Sequence, residues 1–157
     1  MFKAIRASLF ISAFLTLSIA NASLGGHLNS IKNDRVSLRA EADKTPAEEQ
    51  VTSKEKYTLH EITLEGQTVR EYTLKDGTVF AVTWNGLSQP DLSVLFGTYY
   101  KEYKSASIHQ KKMRRGSPQL IKSENLVVER SGHMRDVRGK AYLPKLVPDS
   151  LKVGELQ

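Results

Sequence analysis

From Tyr57 onward, apolar positions alternate with polar ones, and the alternation marks out the elements. Tyr57 to Leu64 is rich in β-branched and aromatic residues and predicts a strand. Glu65-Gly66-Gln67 supplies a turn, and Thr68 to Leu74 returns as a second strand. Lys75-Asp76-Gly77 predicts a tight hairpin, because Asp-Gly accepts the positive φ angles that such turns need. Thr78 to Trp84 is the third strand. Phe80, Val82 and Trp84 share one face at period two, while Val79, Ala81 and Thr83 are uncharged, as in a central strand covered on both sides.

Past Asn85-Gly86 the period becomes 3.6. Ser88 can cap with Asp91, Pro90 sits in the first turn, and Leu92, Leu95, Phe96, Tyr99 and Tyr103 form one stripe that should lie against the sheet, ending near Ser105. An exposed basic loop follows from Gln110 to Pro118. Leu126 to Arg130 predicts a fourth strand, Ser131-Gly132 a turn and His133 to Tyr142 a fifth strand, with Pro144 and Pro148 ending regular pairing. The order β-β-β-α-β-β predicts an α+β domain with an antiparallel sheet of about five strands and one principal amphipathic helix.

The N-terminus reads differently. Lys3 and Arg6 precede an uncharged apolar run from Ala7 to Ile19 and then Ala20-Asn21-Ala22, the layout of a secretory signal cleaved between Ala22 and Ser23. Residues 1–22 are therefore expected to be a signal peptide, 23–56 a polar, partly flexible segment, 57–148 the single domain and 149–157 a tail. Within the second of these, 33–42 allows a short helix, and 40–56 has the composition of a linker, since Val51 is its only large apolar residue. No stable membrane span is expected after cleavage. The chain has no cysteine, so stability in an oxidising compartment must come from packing.

Charge changes the picture more than composition does. Loss of Lys3 and Arg6 lowers the net charge from +6 to +4, and the excess lies in 101–157, with thirteen basic against six acidic residues. Lys111, Lys112, Arg114 and Arg115 are the candidate anion-binding cluster, pointing to an anionic envelope component or a protein partner. Nucleic acid is disfavoured: no aromatic residue between Tyr103 and Tyr142 is available to stack on bases.

Catalytic motifs are thin. His60-Glu61 is followed by Ile62-Thr63-Leu64 rather than a zinc-protease pattern, and neither a Gly-x-Ser-x-Gly elbow nor a phosphate-cradling glycine loop occurs. His60, Glu61, Arg70, Tyr72, Trp84, His133 and Arg135 are the candidates for a ligand or polar site. His60 and His133 could serve as metal ligands or as an acid–base pair if the fold brought them together. Trp84 could stack on a ligand or close the core, and the shared face with Phe80 and Val82 favours the core.

Several stretches together carry a resemblance: Tyr57-Thr58-x-His60-Glu61, Val69-Arg70-Glu71-Tyr72, Gly77-Thr78-Val79-Phe80-Ala81-Val82-x-Trp84-x-Gly86, Pro90-Asp91-Leu92, Gly132-His133-Met134-Arg135 and Gly139-x-Ala141-Tyr142-Leu143-Pro144. Over almost the whole mature chain the sequence resembles the small exported bacterial family DUF2844. The resemblance implies a periplasmic or secreted protein of a Gram-negative bacterium and a single domain, and it carries no activity, cofactor or catalytic residue. The reading that best joins these observations is a non-enzymatic envelope binding or interaction module without a cofactor. The alternatives are a metal-dependent or acid–base hydrolase using His60 and His133, and an inhibitor or assembly factor that docks by β-augmentation.

Overall fold

The computed structural model describes residues 24–27, 36–38, 48–54, 56–108 and 117–156. The predicted signal segment and the basic quartet Lys111, Lys112, Arg114 and Arg115 lie outside the described residues. Seven strands form one sheet: β1 (Glu48–Ser53), β2 (Thr58–Leu64), β3 (Gln67–Thr73), β4 (Val79–Gly86), β5 (Gln119–Lys122), β6 (Val127–His133) and β7 (Asp136–Tyr142). Between β4 and β5 lie helix α1 (Leu92–Phe96), a 3₁₀ turn (Gly97–Tyr99) and helix α2 (Tyr100–Ile108). The strand order is β1-β2-β3-β4-β7-β6-β5, and every neighbouring pair is antiparallel. Two meanders therefore meet at β4 and β7, and the helices carry the chain from the centre of the sheet to its far edge.

The α+β class stands, but the strand count is seven rather than five. Both added strands are edges. β1 lies within the stretch expected to be a linker, and β5 lies where no strand was expected. An edge strand needs no two-sided apolar pattern, so its sequence looks like a loop. Val51 is exposed in β1, and Ile121 is the one fully buried residue of β5. The last hairpin is also displaced. β6 runs through Ser131-Gly132 to His133, and the turn falls on Met134-Arg135, with Arg135 at φ 65°.

The helical stripe forms with two differences. Its cap is Asp91, whose carboxylate accepts from the Ser93 backbone N–H at 2.7 Å, so Ser88 is not the cap. Gly97, at φ 45°, breaks the helix in two, a conformation that a side chain would disfavour. Leu92, Leu95, Phe96 and Tyr103 are buried as expected. The helix-side core is completed by the N-terminal segment. Leu24 is 1 % exposed, with its N–H donating to the Leu95 carbonyl at 3.1 Å, while Gly25 and Gly26 exchange hydrogen bonds with Val79.

β4 separates two cores, and its alternation is not the simple one expected. The register slips between Tyr72 and Thr73 of β3, where Tyr72 faces Ala81 but Thr73 faces Val79, so Phe80 is an extra residue in β4. Such a bulge moves a side chain to the other face. Val82 and Trp84 consequently pack on the helix side, with the indole 6.1 Å from the Phe96 ring, whereas Phe80 packs on the opposite side with Tyr57 and Tyr72. That second face is roofed by the chain after β7, which buries Leu151 and Leu156 against the three aromatic rings.

Candidate functional site

The roof covers only half of the second face. Where it stops, the sheet opens into a groove of about 870 Å³ floored by β3, β4, β7, β6 and β5, with Leu156 at its covered end. Strand register explains its lining. Directly paired residues in a sheet point to the same side, and one unbroken cross-strand row runs Glu61, Arg70, Thr83, Lys140, Glu129, Leu120 from β2 to β5. Asn85 and Arg138, paired across β4 and β7, form part of the next row on the same side.

The polar side chains in this row are fixed by one another. Arg70 Nε donates to the Glu61 carboxylate, and Arg70 Nη1 donates to Asn85 Oδ1 at 3.0 Å. Lys140 Nζ lies 3.2 Å from Glu129 Oε2 and 3.5 Å from the Val153 carbonyl, which ties β7 to the roof. Arg138 pairs with Asp136 at the groove's outer end. Burial, reinforced by the charge of Glu129, holds the Tyr142 phenol above its usual value.

Thr83 sits between these pairs, and among the polar side chains of this row its hydroxyl is the one left unsatisfied, as is the indole N–H of the adjacent Trp84. The residue is 3 % exposed, and its hydroxyl has no hydrogen-bond partner. A buried hydroxyl without a partner costs on the order of 1–3 kcal/mol, so a strand does not retain one for stability. Among the charged residues lining the groove, Arg70, Arg130, Arg138 and Lys140 stand against Glu129 alone. Arg130 itself is turned to the helix side, where neutral oxygens hold its guanidinium: Gln119 Oε1 at 2.7 Å, the Tyr103 hydroxyl at 3.0 Å and Gln89 Oε1 at 3.5 Å. Burial raises the Tyr103 phenol, and the nearby Arg130 charge partly offsets that shift.

The candidates from sequence divide cleanly. Glu61 and Arg70 belong to the groove row. Tyr72 is in the second core, its ring 5.6 Å from Tyr57. Trp84 is 2 % exposed, and its indole lies over Gly139, the residue opposite it on β7, where an added Cβ would overlap the ring. His60 is buried on the helix side, opposite Glu71, with Nε2 3.5 Å from Thr73 Oγ1. His133 ends β6 opposite Asp136 and is exposed, as is Arg135 in the turn. β3, β4 and β7 separate the strands of His60 and His133, so the fold does not bring the two histidines together. Among the described residues no group of three or more His, Cys, Asp or Glu is placed to hold a metal ion.

Thr83, Lys140 and Glu129 were not singled out from sequence, and Arg138, which extends the basic half of the chain with Arg135, was not among the site candidates. The available signal was a hydroxyl within the otherwise apolar run Val79 to Trp84, together with the period-two basic pair Arg138 and Lys140.

A family model described as Protein of unknown function (DUF2844) matches residues 20–156. The chain belongs to the DUF2844 family. Neither the curated proteins nor the solved structures hold a match to it. The DUF2844 match spans every strand of the sheet and all of the groove-lining residues.

Proposed function

We propose that this DUF2844 protein is a non-enzymatic binding module of the cell envelope whose ligand site is the groove on the half-covered sheet face. One observation carries the reading: a buried, unpartnered Thr83 hydroxyl at the groove floor, framed by the ion pairs Glu61–Arg70 and Lys140–Glu129. Side chains already locked in place are preorganised and lose little entropy when a ligand arrives. The row offers hydrogen-bond donors and charge, but no nucleophile–base pair, which favours binding over turnover.

Export is the other half of the proposal. It is supported by the charge, apolar and Ala-x-Ala order of residues 1–22, and by a family match that begins at residue 20, beside the expected cleavage after Ala22. Among the described residues no helix is long and apolar enough to cross a membrane. The ligand is then an anionic envelope component or a group carried by one.

The full chain should be expressed in an export-competent Gram-negative host and the accumulated product purified. N-terminal sequencing should begin at Ser23; a terminus at Met1 contradicts export. An NMR screen of sugars, amino acids, organic acids and phosphates should shift amides around Arg70, Thr83 and Lys140. Shifts confined to the helix side contradict the site, and measurable turnover of a screened compound contradicts the non-enzymatic reading.

A further inference from the structure

We infer that the groove is built for a tetrahedral oxyanion, a phosphate or sulfate group, seated on the Thr83 hydroxyl between Arg70 and Lys140. This deepens the binding-module reading and rests on it. Along the row, the cations are the two immediate neighbours of Thr83, on β3 and β7, and the carboxylates Glu61 and Glu129 stand one strand further out on either side. Adjacent strands are about 4.8 Å apart, so the hydroxyl lies at the centre of a positive strip roughly 10 Å wide with its negative partners at the margins. An anion placed there lies between the two cations, whose carboxylate partners belong to the strands on their far sides.

Each cation also keeps a donor in reserve. Arg70 uses Nε on Glu61 and Nη1 on Asn85, leaving its Nη2 hydrogens. Lys140 has two acceptors for three N–H groups. Arg138 uses Nε and Nη2 on Asp136, leaving Nη1. Thr83 adds an O–H from the floor, and an anion oxygen would give that buried hydroxyl the partner it lacks.

The form of these donors selects the anion. A planar carboxylate is held best by the paired N–H groups of one guanidinium edge. Both edges of Arg70 already have one member engaged, by Glu61 and by Asn85. What remains is a set of single donors from three strands, β3, β4 and β7, which suits a group presenting three or more oxygens in different directions.

The test is a titration of the purified full-chain product at constant ionic strength, followed by amide shifts around Thr83. The probes are inorganic phosphate, sulfate, acetate, glucose 1-phosphate and glycerol 3-phosphate. Phosphate and sulfate should saturate, with acetate several-fold weaker. Thr83→Val should weaken phosphate about tenfold or more, the scale of one hydrogen bond to a charged group, and Thr83→Ser should restore it. Lys140→Met should also weaken it, whereas a variant with Lys111, Lys112, Arg114 and Arg115 all changed to Glu should stay within about twofold of wild type. Tighter binding of either ester than of free phosphate identifies the phosphoryl group as part of a sugar or a lipid headgroup. Unchanged phosphate affinity in Thr83→Val, or collapse in the fourfold variant, overturns the inference. So does acetate binding as tightly as phosphate, though the groove would then survive as the site. Silence of the groove amides to every probe would remove both the inference and the reading beneath it.

Discussion

The two faces of the sheet are built from the same strands, yet they have been put to different uses. On the helix side β4 contributes Val82 and Trp84 to a core closed by Phe96, Leu95 and Leu24. On the other side the same strand contributes Phe80 and Ala81 beneath the C-terminal roof, and then, where the roof ends, Thr83 and Asn85. The helix-side core gains its stability by excluding water from large rings. The open half instead carries ion pairs and a hydroxyl that weakens the fold, a pattern expected where selection favours binding over stability.

The largest predicted effect lies on the closed face. Trp84→Ala should destabilise by about 3–5 kcal/mol in chemical denaturation, since it empties the space between sheet and helix. Trp84→Phe should cost clearly less, because the indole N–H has no partner to lose. An unchanged melting transition for Trp84→Ala would remove the distinction between the faces.

The roof should come next. Leu156→Ala, at a site 4 % exposed, should cost about 2–3 kcal/mol and also weaken whatever binds in the groove, because Leu156 is both core and groove wall. A stability loss with ligand affinity unchanged would detach the roof from the site. Gly139→Ala should destabilise by about 1–3 kcal/mol through overlap with the Trp84 ring, and Trp84→Phe in the same chain should recover part of that loss.

The smallest effect concerns pH and lies off both faces. The Asn125 backbone N–H donates to Glu102 Oε1 at 3.0 Å, tying α2 to the loop before β6, and this bond holds the Glu102 carboxyl below its ordinary value of 4.5. A lowered folded pKa means that the contribution is fully present above pH 4.5 and is lost as pH falls through the folded value. Solvent screening keeps it to roughly half a kcal/mol or less. Glu102→Ala should therefore be slightly less stable than wild type at pH 6 in urea melts, and the difference should vanish at strongly acidic pH.

How legible each region was follows the same division. β2, β3, β4 and the apolar stripe of the helices could be read because burial on a face imposes a period; at the turn between β3 and β4 only Gly77 takes the positive φ expected of Asp-Gly, at 86°, while Asp76 contributes its carboxylate, which accepts from the Thr78 N–H. β1 and β5 could not, since an edge strand is specified by its neighbour's backbone more than by its own side chains. Phe80 was placed on the wrong face because a bulge is a property of the pairing, not of one strand. The groove was only partly visible for the same reason. Glu61 and Arg70 stood out as charges in apolar strands, but Thr83 passed as an uncharged filler. That Arg70 and Lys140 flank it depends on the β3–β4 and β4–β7 registers, which no local pattern contains.

Thr83→Val tests the central claim most directly, because it changes one hydroxyl to a methyl at nearly constant volume. Denaturation without ligand and phosphate titration at fixed ionic strength should be measured on the same preparations of wild type and variant. The account predicts opposite signs: a gain of about 1 kcal/mol in stability, from removing a buried hydroxyl that nothing satisfies, together with loss of phosphate binding. A variant that is less stable than wild type and binds phosphate equally well would contradict it, since Thr83 would then be an ordinary part of the core.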